Sequence, residues 1–428
     1  MIRKSAILLF LTACLCFAPS CEGRKDTLTD GPRPAIRGSF IQPYLFEDWN
    51  DARWQAEFDN LRQAGMDFII FMHTVHADRD GVPRAVYPTE LPGIMPGRKD
   101  LLEDCLRNAE KAGFKVFAGL NFDERWWSLG TGPVDWLIES LQQGNDIAAE
   151  IAERYKSRYP ETLHGWYWVW EVEPSVCSEQ PARELLVQAL NINLDCLRKI
   201  TPEMPVLISP FMNSSSGSSD NCMEVWKYVL EHARFKDGDI FAPQDCVGSG
   251  YLDIGEVEQW FGKLADIIPE EPQIRFWGNV EMFDQRFWTS APVGRVVRQM
   301  ELIRPYVSGY ISFAYSHYYS PAEKNPAIHE AYCSYVESGK IPRLKTPPAV
   351  KGLRADSREK MLAWDALTEK NLMGYRIYRD GVLVADLQLD REGNCPCRWK
   401  YTESGCTYEV SAYDVWGNES EKETVYAE

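Results

Sequence analysis

The chain is short of positive charge: 46 Lys and Arg stand against 63 Asp and Glu, a net charge of −17. Neither a basic run nor a basic helical pattern occurs, which excludes nucleic acid and anionic lipid surfaces as partners and leaves neutral ligands open. Beyond the first residues, no segment reaches the ~18 consecutive apolar residues of a membrane helix. The 12 cysteines lack the spacing of a zinc site or a disulfide framework. His73 and His76 fall in a loop, and even with Asp123 and Glu124 nearby no third ligand in metal-binding spacing is evident. No metal and no cofactor are therefore expected.

What is present begins with Met1-Ile2-Arg3-Lys4, a short basic start, followed by an apolar stretch over 6–18 that is too short for a stable anchor. Residues 1–20 read as a lipoprotein-type export signal, with lipid placed on Cys21 ahead of a polar linker over 21–35. Leu11-Thr12-Ala13-Cys14 is the competing site, and ordinary secretory cleavage without lipid is the third reading. The expected destination is the outer membrane, the cell surface or the periplasm, with the membrane touched only through the lipid. Nothing in the pattern speaks to oligomeric state.

From residue 36 to about 343, short Val-, Ile- and Phe-rich runs alternate with longer amphipathic stretches, the signature of βα units. The runs fall at 38–43, 68–72, 115–120, 165–171, 206–210, 240–243, 274–279 and 309–313. That number makes a closed (β/α)8 TIM barrel, an α/β fold, the natural architecture. Trp54, Phe58 and Leu61 fall at i, i+4 and i+7, and Leu101, Cys105 and Leu106 repeat the helical period before the next strand. After Lys345-Thr346-Pro347-Pro348 the texture becomes all-β. Residues 345–428 resemble a fibronectin type III sandwich, with Trp364 as its early-strand tryptophan, Asp380-Gly381 as a hairpin turn and Tyr408 in the tyrosine corner. This module is expected to fold independently as a spacer or packing support. Cys395, Cys397 and Cys406 cluster there and can hold one bridge.

Two glutamates stand at the ends of the fourth and seventh runs, Glu171 in Trp168-Val169-Trp170-Glu171-Val172-Glu173-Pro174 and Glu281 in Trp277-Gly278-Asn279-Val280-Glu281. At the mouth of a barrel such a pair suits glycosidic bond cleavage, which takes a proton donor and, in retaining enzymes, an attacking carboxylate. Strand alternation places Glu171 and Glu173 on one face, so Glu173 is the alternative acid/base. Trp166, Trp168 and Trp170 are expected to pack against outer helices.

The barrel resembles the cellulase-like clan A glycoside hydrolases of the family 5 type. More closely, it is similar to a domain-of-unknown-function family of secreted bacterial barrels in that superfamily. The likeness is carried by Gly38-Ser39-Phe40-Ile41-Gln42-Pro43, Gly119-Leu120 with Trp126-Trp127, Ser209-Pro210-Phe211 and Pro243-Gln244-Asp245. Trp277 with Asn279 and Glu281, and Ser312-Phe313-Ala314-Tyr315-Ser316, complete it over about 300 residues. It implies Glu281 as nucleophile and Glu171 as acid/base. One departure is plain: clan A enzymes place Asn before the acid/base, where this chain has Trp170, and only Glu173-Pro174 keeps the Glu-Pro step.

Gln42, Asn121, Trp126, Trp127, Gln244, Asp245, Trp277, Asn279, Tyr315 and His317 are the candidate sugar-binding residues, with Tyr318 as a further ring; aromatic faces stack on sugar C–H faces and polar groups take hydroxyls. The expectation is a glycoside hydrolase acting on an oligo- or polysaccharide. The alternative is a surface lipoprotein that binds carbohydrate without cleaving it.

Overall fold

The computed structural model describes residues 33–129 and 133–428. The export signal, Cys14 and Cys21 lie outside the described residues. Eight parallel strands close into a barrel: β1 (Gly38–Ile41), β2 (Phe68–Phe71), β3 (Lys115–Gly119), β4 (Leu163–Trp168), β5 (Val206–Ile208), β6 (Ile240–Phe241), β7 (Arg275–Glu281) and β8 (Gly309–Phe313). Closure is visible at Gly38, which pairs with Phe68 on one side and Ile311 on the other. Each strand leads into a helix that packs outside: α1 (Asp51–Gln63), α2 (Leu101–Ala112), α3 (Val134–Ile151), α4 (Gln180–Ile200), α5 (Ser219–His232), α6 (Val257–Ala265), α7 (Val293–Ile303) and α8 (Pro326–Ser338). The fold is a (β/α)8 TIM barrel.

Local chemistry accounts for the repeat. The side chains of Asn50 and Asp100 accept the backbone N–H of Arg53 and Glu103, capping α1 and α2. Behind the caps, Trp54, Phe58 and Leu61 on α1, and Leu101, Cys105 and Leu106 on α2, are buried against the sheet. Strands covered on both faces are apolar throughout, as Phe68–Phe71 is. Trp166 and Trp168 point outward as expected, donating their Nε1–H to Thr201 Oγ1 (2.8 Å) and Asn193 Oδ1 (3.0 Å) on or beside α4.

Beyond the barrel, two antiparallel sheets share a core. One has the order β9-β10-β13, from Arg354–Asp356, Met361–Ala363 and Arg398–Lys400. The other has the order β12-β11-β14-β15, with β11 Leu372–Arg379, β12 Val382–Gln388, β14 Cys406–Asp414 and β15 Glu423–Ala427. Between them lie Leu362, Trp364, Tyr375, Ile377, Tyr408 and Val410. Asp380 and Gly381 turn the hairpin with positive φ (48° and 83°), and the Tyr408 hydroxyl donates to Glu403 O at 2.9 Å. Cys395, Cys397 and Cys406 are all free thiols, so the bridge allowed for them does not form.

These sheets are fastened to the barrel. Met373, Tyr413, Val415 and Trp416 belong to the same buried cluster as the barrel's own core. The Val293 N–H at the start of α7 donates to Val415 O at 2.7 Å. Ser290 exchanges two hydrogen bonds with the Gln388 side chain, at 2.9 and 2.8 Å. The seam lies directly behind the loop that follows β7.

Candidate active site

A cleft of about 510 Å³ opens at the C-terminal end of the barrel, and Glu171 and Glu281 both line it. This is the end where βα loops converge in such barrels. Glu281 is the last residue of β7 and is 1 % exposed. The backbone N–H of Ser249 donates to its Oε2 at 2.6 Å. That approach depends on the absence of a side chain next door, since a Cβ on Gly248 would sit 2.3 Å from Phe283 O and 2.9 Å from Glu281 Cβ.

Under Glu281 lies a second carboxylate. Asp245 is fully buried; it accepts the Glu281 backbone N–H (3.3 Å), the Val247 N–H (3.3 Å) and the Gln299 amide (2.6 Å). Gln299 also reaches Glu281 O at 3.2 Å, and the Arg295 guanidinium donates to Glu281 O (3.2 Å) and to Phe283 O. Arg295 and Gln299 are four apart on α7 among Val293, Val296, Val297 and Met300, so both project to one side of the helix, toward β7. Burial and the Asp245 charge push the Glu281 carboxyl up to about 8, opposed by the Ser249 hydrogen bonds and by Arg295. Asp245 is itself raised to about 6 by burial. A nucleophile has to be ionised to attack, yet the surroundings of Glu281 hold it toward the protonated form, because two carboxylates share one dry site.

Glu171 stands three residues past the end of β4, in a loop. Burial raises its carboxyl to about 7, and a hydrogen bond from Gln244 pulls the other way. Its backbone carbonyl accepts Trp126 Nε1–H at 2.7 Å. Because β4 ends at Trp168, strand alternation no longer governs Glu171 and Glu173. Glu173 is turned away from the cleft: its carboxylate accepts Ser175 N–H at 3.2 Å and the Ser175 hydroxyl, capping a short 3-10 helix over Pro174–Cys177. Trp170, the residue in the Asn position, is buried among Phe122, Trp126 and Trp136.

The candidate binding residues divide. Gln42, Trp127, Gln244, Asn279 and Tyr318 line the cleft. Asn279 donates to Ser209 Oγ at 3.0 Å, while its buried Oδ1 has no partner among the described residues. The others sit elsewhere. Asp245 lies behind Glu281. Trp126 is 4 % exposed and braces the Glu171 loop. Asn121 is buried and donates to Ser140 O (2.8 Å) on α3. The Tyr315 hydroxyl is paired with His329 Nδ1 at 2.6 Å. His317 meets the Gln42 N–H (3.3 Å) and the Tyr44 hydroxyl (3.2 Å), so it shapes the β1 loop; burial holds it down to about 4, hence neutral. Trp277 is at the wrong end: it lines a separate hollow with Phe68, Lys115 and Arg275. It shares a strand face with Glu281 but lies four residues earlier, about 13 Å along the strand.

Sequence reasoning passed over Tyr44, Ser249, Tyr251, Phe283 and Trp288, which complete the cleft wall. It also passed over Arg295 and Gln299, whose signal was legible: a polar pair at i, i+4 on an otherwise apolar helix face. No group of three or more potential metal ligands occurs among the described residues. His73 and His76 stack on each other, and His76 Nε2 pairs with Glu124 at 3.2 Å.

Compared with known proteins, residues 36–325 match the family described as a domain of unknown function (DUF4434). No curated protein sequence matches the chain. Among solved structures, it is similar to a candidate alpha-L-fucosidase from Bacteroides thetaiotaomicron, at 20 % identity and a TM-score of 0.59, over 75 % of this chain and 99 % of that one. A beta-galactosidase from Marinomonas ef1 is similar at 11 % identity and a TM-score of 0.43, over 65 % of this chain and 54 % of that one. A beta-glucuronidase from Parabacteroides merdae is similar at 9 % identity and a TM-score of 0.40, over 92 % and 48 %. The first likeness establishes a shared fold; the chain spans about half of each of the other two, which bear no further weight.

Proposed function

The chain belongs to the DUF4434 family, and we propose that it is a retaining glycoside hydrolase in which Glu281 attacks the sugar and Glu171 is the acid/base. The observation that carries this reading is that two carboxyls, one from the end of β7 and one from the loop that follows β4, line one cleft, each held away from water. In the first step a Glu281 oxygen bonds to the anomeric carbon as the glycosidic C–O bond breaks, and the Glu171 proton passes to the leaving oxygen. In the second, Glu171 takes a proton from water, whose oxygen displaces Glu281 from the anomeric carbon. The Gln42 and Gln244 side chains offer polar groups for sugar hydroxyls, and Trp127 and Tyr318 offer ring faces.

The reactive form needs a proton on Glu171 and none on Glu281. Burial raises both carboxyls, so that form is most abundant from neutral pH upward. Optimal pH is therefore well above that of an ordinary carboxylate pair. Hydrolysis of a panel of aryl glycosides and glycans across that pH range tests the proposal. A second reading, carbohydrate binding without cleavage, is favoured by Trp170, which leaves the position before Glu171 without an amide and turned into the core. Binding to the same glycans with no turnover of any would select it.

The C-terminal sheets are read as a fibronectin type III-like unit, supported by buried Trp364 and the Tyr408 corner bond. Export and lipid attachment at Cys21 complete the proposal, and mass spectrometry of the mature N-terminus decides it against Cys14.

A further inference from the structure

Three hollows lie side by side along the mouth of the barrel, and an exposed tryptophan stands at each boundary. The central hollow, about 510 Å³, holds Glu171 and Glu281. It shares Tyr44, Trp127 and Glu171 with a second of about 500 Å³, which runs over His73, His76 and Glu124. On the other side it shares Trp288 with a third of about 550 Å³, walled by Lys324 of the barrel and by residues 388–392 of the C-terminal sheets. Of the 15 tryptophans, Trp127 and Trp288 are the exposed ones, at 51 % and 61 %. Exposed rings at both boundaries of a candidate site offer faces on which a ligand can stack.

Trp288 is held in place with some strain. Its φ of 53° lies in the left-handed region that bulky residues rarely occupy. One ring face stacks on Phe283, with centroids 6.0 Å apart and planes 10° apart. It sits on the hairpin formed by Phe283–Asp284 and Thr289–Ser290, which follows Glu281 directly. The C-terminal sheets grip the base of that hairpin: Thr289 Oγ1 donates to Asp386 Oδ2 at 3.3 Å, and Ser290 and Gln388 exchange their two hydrogen bonds.

We propose that the three hollows form one groove for a neutral polysaccharide strand, with Trp127 and Trp288 as stacking platforms on either side of the carboxyl pair and the C-terminal sheets supplying one end. This rests on the glycosidase reading and extends it to a polymer that continues past the cleavage point in both directions. Sugar rings present C–H faces that stack on indole, and a chain of them needs successive platforms. Neutral sugar fits because the walls place Glu124, Glu323, Asp390 and Glu392 among fewer cations, chiefly Lys324 and Arg391, with Arg391 already paired to Glu392 at 2.9 Å. A uronic acid polymer would meet net repulsion.

The test uses the full chain in a Glu281→Gln background, so that binding is read without turnover. Affinity electrophoresis runs in gels holding β-glucan, xyloglucan, galactomannan, xylan or polygalacturonate, alongside hydrolysis of aryl monoglycosides by the unmodified chain. At least one neutral polysaccharide should retard the protein, and Trp288→Ala should weaken that binding about tenfold, with Arg391→Ala weakening it less. Equal retardation of the Trp288→Ala variant overturns the groove, and preference for polygalacturonate overturns its neutral ligand. No retardation by any polymer, with aryl monoglycosides still cleaved, overturns the groove and leaves the glycosidase reading standing. No retardation and no cleavage remove both.

Discussion

The two walls of the cleft are built differently. On the β7 wall, Glu281 ends a strand and meets the Ser249 N–H; Asp245, Arg295 and Gln299 are packed beneath and behind it, and the hairpin that follows is clamped by the C-terminal sheets. On the β4 wall, Glu171 sits in a loop beyond the strand end, with burial as its main influence and Gln244 as its hydrogen-bond partner. The difference teaches how two identical side chains can take unequal roles. A nucleophile must be held still against one carbon through bond formation and cleavage, which suits the rigid wall. A proton donor must release a proton and take one back in each cycle, which suits a dry carboxyl near 7 with few fixed partners.

The largest expected effect breaks the stronger wall. Glu281→Gln should lower turnover on every substrate by about 10⁴-fold or more, measured on aryl glycosides with good and poor leaving groups. Glu171→Gln should cost about 10²- to 10⁴-fold with poor leaving groups and much less with good ones. Azide should restore its rate with retained configuration, because the anion replaces the water that Glu171 would have activated. Equal losses across all leaving groups in both variants would erase the proposed asymmetry.

A smaller effect concerns Asp245. Removing its charge with Asp245→Asn lets Glu281 ionise at lower pH, so the bell-shaped profile should move its optimum downward. A profile that stays in place would mean that Asp245 does not set the Glu281 proton. Stability sharpens the same contrast. A carboxyl raised in the folded state is carried at no electrostatic cost below its unfolded value of about 4.5, and it destabilises progressively as pH rises through about 8. Glu281→Gln should therefore match the parent protein near pH 4 and exceed its Tm by a few degrees above pH 8. Glu171→Gln should show a smaller gain that levels off at lower pH, since that carboxyl is raised only to about 7.

Much of this was legible in the sequence, and the failures follow from physical causes. All eight apolar runs became barrel strands, because buried parallel strands are apolar on both faces and leave a signal independent of phase. Glu281 was correctly read as a strand end. Glu171 was read as one too, since Trp166, Trp168 and Trp170 continue an alternating pattern past the last ladder bond at Trp168. That overrun is why Glu173 looked like a partner to Glu171 when it caps a helix instead. Trp277 failed for a related reason: alternation gives the face a side chain takes and says nothing of its depth along the barrel axis. Trp277→Ala should accordingly leave turnover unchanged, the smallest effect expected here; a marked loss would return Trp277 to the site. Trp288 and the clamp from Asp386 and Gln388 depend on contacts about 97 residues apart in sequence, which local periodicity cannot carry.

The nucleophile assignment is tested most directly by incubating the protein with 2-deoxy-2-fluoroglycosyl fluorides of the gluco, galacto, manno, xylo and fuco series, followed by intact-mass and peptide mapping. The expected result is a single glycosyl adduct on the peptide bearing Glu281, absent from Glu281→Gln. An adduct on Glu171, or steady hydrolysis of natural glycans with inverted products and no adduct, would contradict it.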